Sequence, residues 1–181
     1  MNTTSQGCER PTEPSGGEPA SGRRSRAPAG EYLTYSLGAE SYAVAIRGVQ
    51  EIRGYVEPTR IARAPAHLKG VMNLRGAIVP IVDLRILSGD AAPTYDAITS
   101  TVILDSEGRS VGAVVDSVSD VLELHDEDIQ PAPECAARFG GSHVAGIACL
   151  AHEDGARLVI LVDAQRLLSQ ADLSIAAGTP S

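Results

Sequence analysis

Few residues in this chain are spaced for catalysis. The four histidines, His67, His125, His143 and His152, are dispersed, with no i,i+4 pair and no partner at metal-ligand spacing. The sequence contains no GxxxxGK[ST] phosphate loop, no GxGxxG and no HExxH. Gly140-Gly141-Ser142-His143-Val144 approaches a nucleophile elbow but lacks the glycine two residues after the serine. Asp126-Glu127-Asp128 supplies carboxylates without the alternating ligands, central glycine and final Glu of a calcium loop, so a solvated turn is expected there. Cys8, Cys135 and Cys149 lie far apart with no CxxC, which supports neither a disulfide framework nor a zinc ribbon. Cys149, within an apolar run, reads as a small core hydrophobe. The expectation is a protein that is not an enzyme, with no catalytic residue, no cofactor and no metal.

Recognition chemistry is better supported. If Val71 to Arg75 is a strand, Asn73 and Arg75 share a face with Val71, while Met72 and Leu74 face the other way. Val49, Glu51 and Arg53 form a second mixed group. An ion pair between Glu51 and Arg75 would set a planar, multi-donor guanidinium beside a carboxylate at a structured surface, an arrangement suited to binding a partner. Periodicity leaves open a second reading, in which the same charges merely decorate the outside of a barrel.

The elements that must hold these residues are short strands. Leu33, Tyr35 and Leu37 alternate with Tyr32, Thr34 and Ser36, Gly38 to Ser41 reads as a turn, and Tyr42, Val44 and Ile46 resume the alternation, giving a hairpin. A short helical turn is expected over Arg47–Ile52. From Gly70 to Arg85 two strands turning near Gly76 are expected, and Pro80, which has no amide proton, suggests an edge strand or a bulge. Ser88–Ala97 reads as a loop. Further strands are predicted at Thr101–Leu104, Val111–Val115, around Val118–Leu124, Val144–Leu150 and Leu158–Val162, with a long irregular connection from Pro131 to Gly141. Asp163 stands at a helix N-cap ahead of Ala164–Leu168. The fold class is therefore all-β, a barrel or sandwich with one short terminal helix; the alternating βα units of a nucleotide fold are missing.

Composition agrees. The chain has 181 residues, 43% apolar, with no Trp, one Phe and five Tyr. Val and Ile together number 27, so the core must be aliphatic and branched. With a net charge of -8 and almost no stacking platforms, nucleic acid is disfavoured as a partner. No run of 18 apolar residues suggests a membrane span. The first 30 residues contain no Leu, Ile, Val, Phe, Trp or Tyr, so a secretory leader is not expected and a cytoplasmic location is. Residues 1–30 read as a disordered tail, 31–172 as the folded domain and 173–181 as a flexible C-terminal tail. Residues 44 to 85 hold seven Arg or Lys against three acids, and residues 105 to 134 hold nine acids against Arg109 alone. That polarity suits either oriented, head-to-tail protein contacts or two solvated faces.

Val49-Gln50-Glu51-Ile52-Arg53-Gly54, Gly70-Val71-Met72-Asn73-Leu74-Arg75-Gly76 and Ile78-Val79-Pro80-Ile81-Val82-Asp83-Leu84-Arg85 together resemble the signature of the CheW family of chemotaxis coupling proteins. Val114 to Val121, Ile129 to Pro133 and Leu158 to Val162 extend the resemblance, in order, across about residues 31 to 170. It implies two small SH3-like five-stranded β-barrels on a shared core with a short C-terminal helix. It also implies a non-catalytic adaptor, monomeric when free, that binds the cytoplasmic tip of chemoreceptors and the regulatory domain of a CheA-type histidine kinase. Such an adaptor is recruited to receptor arrays at the inner face of the cytoplasmic membrane without inserting into it. The receptor contact implied is an amphipathic helix laid in an apolar groove between the barrels. Glu51 and Arg75 match the family's charged pair at the receptor and kinase contact region, with Val49, Arg53, Gly70, Asn73 and Gly76 beside it. Two other readings are a coupling protein for a non-flagellar chemosensory pathway and an isolated kinase regulatory domain. The second is discouraged by the initial Met, the tail and the lack of an ATP-binding segment ahead of the domain.

Overall fold

The computed structural model describes residues 27–133 and 143–169. The expected C-terminal tail, Cys8, Cys135 and Gly140 to Ser142 lie outside the described residues, as does the N-terminal tail up to residue 26. That tail was expected to reach residue 30, but Ala27 is already buried and the first strand starts at Gly30.

The described residues form eleven strands. They are β1 (Gly30–Leu37), β2 (Glu40–Ala45), β3 (Val49–Gly54), β4 (Leu68–Leu74), β5 (Ala77–Asp83), β6 (Ser100–Ser106) and β7 (Arg109–Val115), then β8 (Ser117–Leu124), β9 (Ile129–Pro131), β10 (Val144–His152) and β11 (Gly155–Val162). A 3-10 turn, Ile46–Gly48, precedes β3, and a single helical turn, α1 (Leu84–Leu87), follows β5. The terminal helix, α2, covers 164–169 of the described residues. Asp163 caps it as expected, its Oδ1 accepting from the amides of Gln165 and Arg166 at 2.9 and 3.2 Å.

The strands form two sheets, and the expected all-β, paired-barrel fold is the one observed. The first barrel has the order β8-β1-β2-β11-β10-β9 and the second β3-β6-β7-β5-β4. In each, one parallel pairing, β2 with β11 and β5 with β7, joins strands distant in sequence. The first sheet has six strands rather than five because Ile129–Pro131, where no strand was expected, pairs with β10.

Burial follows from strands that are apolar on both faces. Tyr42 and Val44 of β2, Val102 and Leu104 of β6, Val111, Ala113 and Val115 of β7 and Val162 of β11 meet in one cluster fed by both sheets. The alternate residues turn into each barrel's own interior. Ala43, Val159 and Leu161 join Tyr32 and Ile129 in the first barrel, while Val79, Ile81, Ile103 and Val114 fill the second. Leu167 and Leu168 of α2 add to the shared cluster.

Four local expectations change. The helical turn read at Arg47–Ile52 ends at Gly48, and the rest is β3. Pro80 lies in β5, between β7 and β4, so it is not on an edge. Its partner Val71 exchanges both backbone hydrogen bonds with Thr59, at 2.8 and 2.9 Å, so β4 asks for no amide from Pro80, and pairing with β7 begins only at Ile81. The bulge sits opposite, between Leu68 and Gly70. The residues after Asp83 make α1 before the loop begins, because Asp83 Oδ1 accepts from the Arg85 amide at 3.0 Å. Cys149 is half-buried rather than core.

Polar groups join the two barrels. Arg85 is 2% exposed and Asp83 0%. Its Nε and Nη2 donate to the two carboxylate oxygens of Asp83 at 3.0 and 2.9 Å, and Nη1 to Asp116 Oδ1 at 3.1 Å and to the Thr94 carbonyl at 2.6 Å. Burial alone would lower the Arg85 pKa, but the hydrogen bonds and charges of Asp83 and Asp116 reverse this and hold it above the ordinary value. Asp116 lies where the chain passes from β7 to β8, that is, from the second barrel to the first. Its Oδ2 accepts from the Gly38 amide at 2.7 Å and its own amide donates to Ser36, so the β1–β2 turn is held to the end of β5.

Two substitutions probe the packing. Thr101, 1% exposed, has a hydroxyl without a hydrogen-bond partner. Thr101→Val should therefore raise stability by about 1 kcal/mol, read as a higher denaturant midpoint; an unchanged or lower midpoint would show that the hydroxyl is satisfied. Gly70 has φ +146 and lies against the Thr59 carbonyl, which an added Cβ would strike. Gly70→Ala is expected to cost about 3 kcal/mol, and a melting midpoint equal to wild type would contradict this close approach.

Candidate functional site

The charged residues singled out in the sequence meet across the mouth of the second barrel. Its edge strands are β3 and β4, which do not pair with each other among the described residues. Side chains span the gap. Arg75 Nη2 donates to Glu51 Oε2 at 2.7 Å, Arg53 Nε lies 3.4 Å from Glu51 Oε1, and Arg53 Nη1 reaches Met72 Sδ at 3.8 Å. Glu51 is thus held between two guanidinium groups.

A bulge at Gln50 aims these residues. Val49 is opposite Leu104 but Glu51 is opposite Ile103, so Gln50 is the extra residue. Residues opposite each other project from the same face of a sheet. Val49 therefore turns with Leu104 toward the shared core, where it is partly buried. Glu51 and Arg53 turn with Ile103 and Thr101 toward the inner side of the barrel and the β4–β5 hairpin. Val49, Glu51 and Arg53 thus do not form the single group that spacing suggested.

Arg75 is also not on the strand face with Asn73. It occupies the turn between β4 and β5, with φ +53, followed by Gly76 at φ +89. Two successive positive φ values give the two-residue hairpin turn that matches the twist of the flanking strands. Asn73, exposed at the end of β4, accepts from the Gly76 amide through Oδ1 at 2.9 Å. A left-handed non-glycine residue costs about 1–2 kcal/mol. The Arg75 side chain is 73% exposed, and an ion pair so open to solvent returns about 1 kcal/mol or less. Stability gains little from this arrangement, so its value lies in where it places the guanidinium.

Gly70 differs in kind. It is buried under Thr59 and presents no side chain, so it shapes β4 rather than offering a contact. Two apolar residues quoted in the sequence motif but not chosen as site residues are exposed on the other face of these strands: Ile52, 46% exposed and opposite Val102, and Ile78, 66% exposed and opposite Asn73. Their signal in the sequence was weak, because in strands apolar on both faces an outward Ile looks like an inward one. Asp83, Arg85 and Asp116 were missed as a group for another reason. They are polar residues within apolar runs, and only the fold brings Asp116 to the other two.

Among the described residues no group of three or more His, Cys, Asp or Glu could hold a metal ion. Asp126 to Asp128 form a turn in which Asp128 Oδ2 accepts from the His125 amide at 2.9 Å. Arg53, Arg60 and Arg75 of the basic segment are exposed on the second barrel, and Asp120 and Glu123 of the acidic segment are exposed on β8 of the first. Among the described residues no helix is long and apolar enough to cross a membrane.

Known proteins resemble this chain in sequence and fold. The CheW-like domain family matches residues 31–172. The chain is 46% identical over 145 residues to a chemotaxis protein CheW of Klebsiella aerogenes, covering 80% of this chain and 85% of that one. To a chemotaxis protein CheW of Rhizobium meliloti it is 37% identical over 133 residues, covering 74% and 83%. The crystal structure of the scaffolding protein TtCheW from Thermoanaerobacter tengcongensis superimposes with a TM-score of 0.66 at 27% identity, over 75% of this chain and 89% of that one. Two barrels on a common core, the ordered strand motifs and these matches lead to one conclusion: the chain belongs to the CheW-like domain family.

Proposed function

We propose that this protein is a non-catalytic adaptor of chemotaxis signalling that couples chemoreceptors to a CheA-type histidine kinase and so sets kinase activity. The observation that carries the reading is the charged lip of the second barrel, where Arg75 is held in a left-handed turn against Glu51 and Arg53 approaches the same carboxylate. A hairpin that sets a planar cation against a carboxylate of β3, with Ile52 and Ile78 exposed on the other face of β3 and β5, suits a protein partner: the apolar groups give affinity and the charges fix register. The same positions carry the resemblance to the family's receptor and kinase contact region. Val49 and Gly70 serve it from below, one packed on the shared core and the other shaping β4, while Asn73 and Gly76 set the turn.

In this reading the protein is cytoplasmic and joins receptor arrays at the inner face of the membrane through its partners. It binds the receptor's cytoplasmic tip and the kinase's regulatory domain, itself a paired-barrel unit, and is a monomer when free. The folded module takes in Ala27, which is buried, together with the family-matched residues 31–172.

Two experiments test the reading. The full chain should capture both a chemoreceptor signalling fragment and a CheA-type kinase at tens of micromolar, and failure of the folded protein to bind either one would sink the proposal. Glu51→Ala and Arg75→Ala should each leave the melting midpoint within about 1 kcal/mol of wild type. Each should weaken assembly by about 2 kcal/mol if the lip is central to the interface. Unchanged kinase control by both variants in a reconstituted receptor assay would remove these residues from the contact.

A further inference from the structure

The chain between α1 and β6, residues 88–99, passes over the buried Arg85, and one side chain in it touches both Arg85 and its partner Asp83. The Tyr95 hydroxyl donates to Asp83 Oδ2 at 2.8 Å, the same oxygen that accepts from Arg85 Nη2. Its ring covers the Arg85 guanidinium, with Cζ 4.6 Å from the centroid, and stacks on Tyr55 at 4.4 Å and 28°. Lys69 Nζ lies 5.1 Å from the same ring. The preceding residue, Thr94, takes a hydrogen bond from Arg85 Nη1 at 2.6 Å. Burial, then the hydrogen bond to Asp83 and its charge, push the Tyr95 phenol up to about 12, so the hydroxyl remains a donor throughout the physiological range. Yet Tyr95 is 38% exposed. It is both part of a buried ionic network and part of the surface.

We propose that residues 88–99 form a strap clasped by Tyr95, and that the clasp keeps the ionic joint between the barrels closed. The ring excludes water from one face of Arg85, and ion pairs strengthen when water is excluded. With the ring withdrawn, Asp83 loses a donor, the guanidinium faces solvent, and its hold on Asp116 weakens. Asp116 is the group that binds the Gly38 amide, and its own amide binds Ser36, so the loss passes through direct contacts to the β1–β2 turn of the first barrel. A partner that draws the exposed side of Tyr95 outward would therefore loosen the seat of one barrel on the other. The two ends of the strap need not move. Asp90 is tied to the Arg85 carbonyl at 2.9 Å, and the Asp96 carboxylate accepts from the amides of Ile98 and Thr99 at 3.0 Å.

Amide hydrogen exchange of the full chain tests this, residue by residue, on wild type, Tyr95→Ala and Tyr95→Phe. In Tyr95→Ala the amides of Gly38, Arg85 and Asp116 should exchange about tenfold faster, as local opening predicts, while the β10–β11 pair keeps its wild-type rates. Tyr95→Phe keeps the stack and loses only the hydroxyl, so its increase at those three amides should be smaller. Wild-type rates at Gly38 and Asp116 in Tyr95→Ala, with faster exchange confined to residues 88–99, would overturn the proposal by showing that the segment is an ordinary loop. If Tyr95→Ala does not fold, Tyr95→Phe decides alone: faster exchange at Gly38 and Asp116 supports the clasp, and wild-type rates at both overturn it.

Discussion

At the joint between the barrels a guanidinium is buried, and the fold is arranged to satisfy it. An unpaired ion there would cost several kcal/mol, so Arg85 is accepted only because Asp83 binds it through two oxygens, and Asp116 and the Thr94 carbonyl take Nη1. Lysine could not replace it, since a point charge has no planar fork to meet a carboxylate through two bonds. Apolar contact is non-directional, so the shared core supplies cohesion without choosing an angle between the barrels. The hydrogen bonds of Arg85 and Asp116 have directions, and they choose it.

That division explains how an aromatic-poor chain builds two barrels from about 140 residues. Branched aliphatic side chains are small enough for strands to pack on both faces. Each central strand therefore serves two cores at once, as Val102 and Leu104 do for the shared cluster and Ile103 for the second barrel. Two of the tyrosines are placed where a ring with a polar end is useful: Tyr32 donates to the Pro28 carbonyl at 2.6 Å, and Tyr42 to Glu40 at 2.7 Å.

The charged lip depends on this frame. Glu51 comes from one edge strand of the second sheet and Arg75 from the turn that follows the other, and they meet only because the sheet curls until those edges face each other. A solvent-exposed pair cannot supply that curvature, since its net worth is comparable to the cost of the left-handed Arg75 backbone. The two-sided packing supplies it, and the pair uses the result to set a cation and a carboxylate side by side at the surface.

The sequence by itself determined the strand content, the hairpin at Gly76, the cap at Asp163 and the family, because alternation, turn chemistry and capping are local and leave local marks. It also brought forward Glu51 and Arg75, as charges inside strand-like text. Only the tertiary structure decided which face each residue takes. The bulge at Gln50 separates Val49 from Glu51, and Pro80 is internal because Thr59 takes up the hydrogen bonds of its partner, two outcomes that depend on pairings far apart in the chain. Strands apolar on both sides erase the period that would mark Ile52 and Ile78 as outward. The Asp83–Arg85–Asp116 joint was likewise decided by the fold, since a buried ionic network is defined by which residues meet in space, and 31 positions separate Arg85 from Asp116.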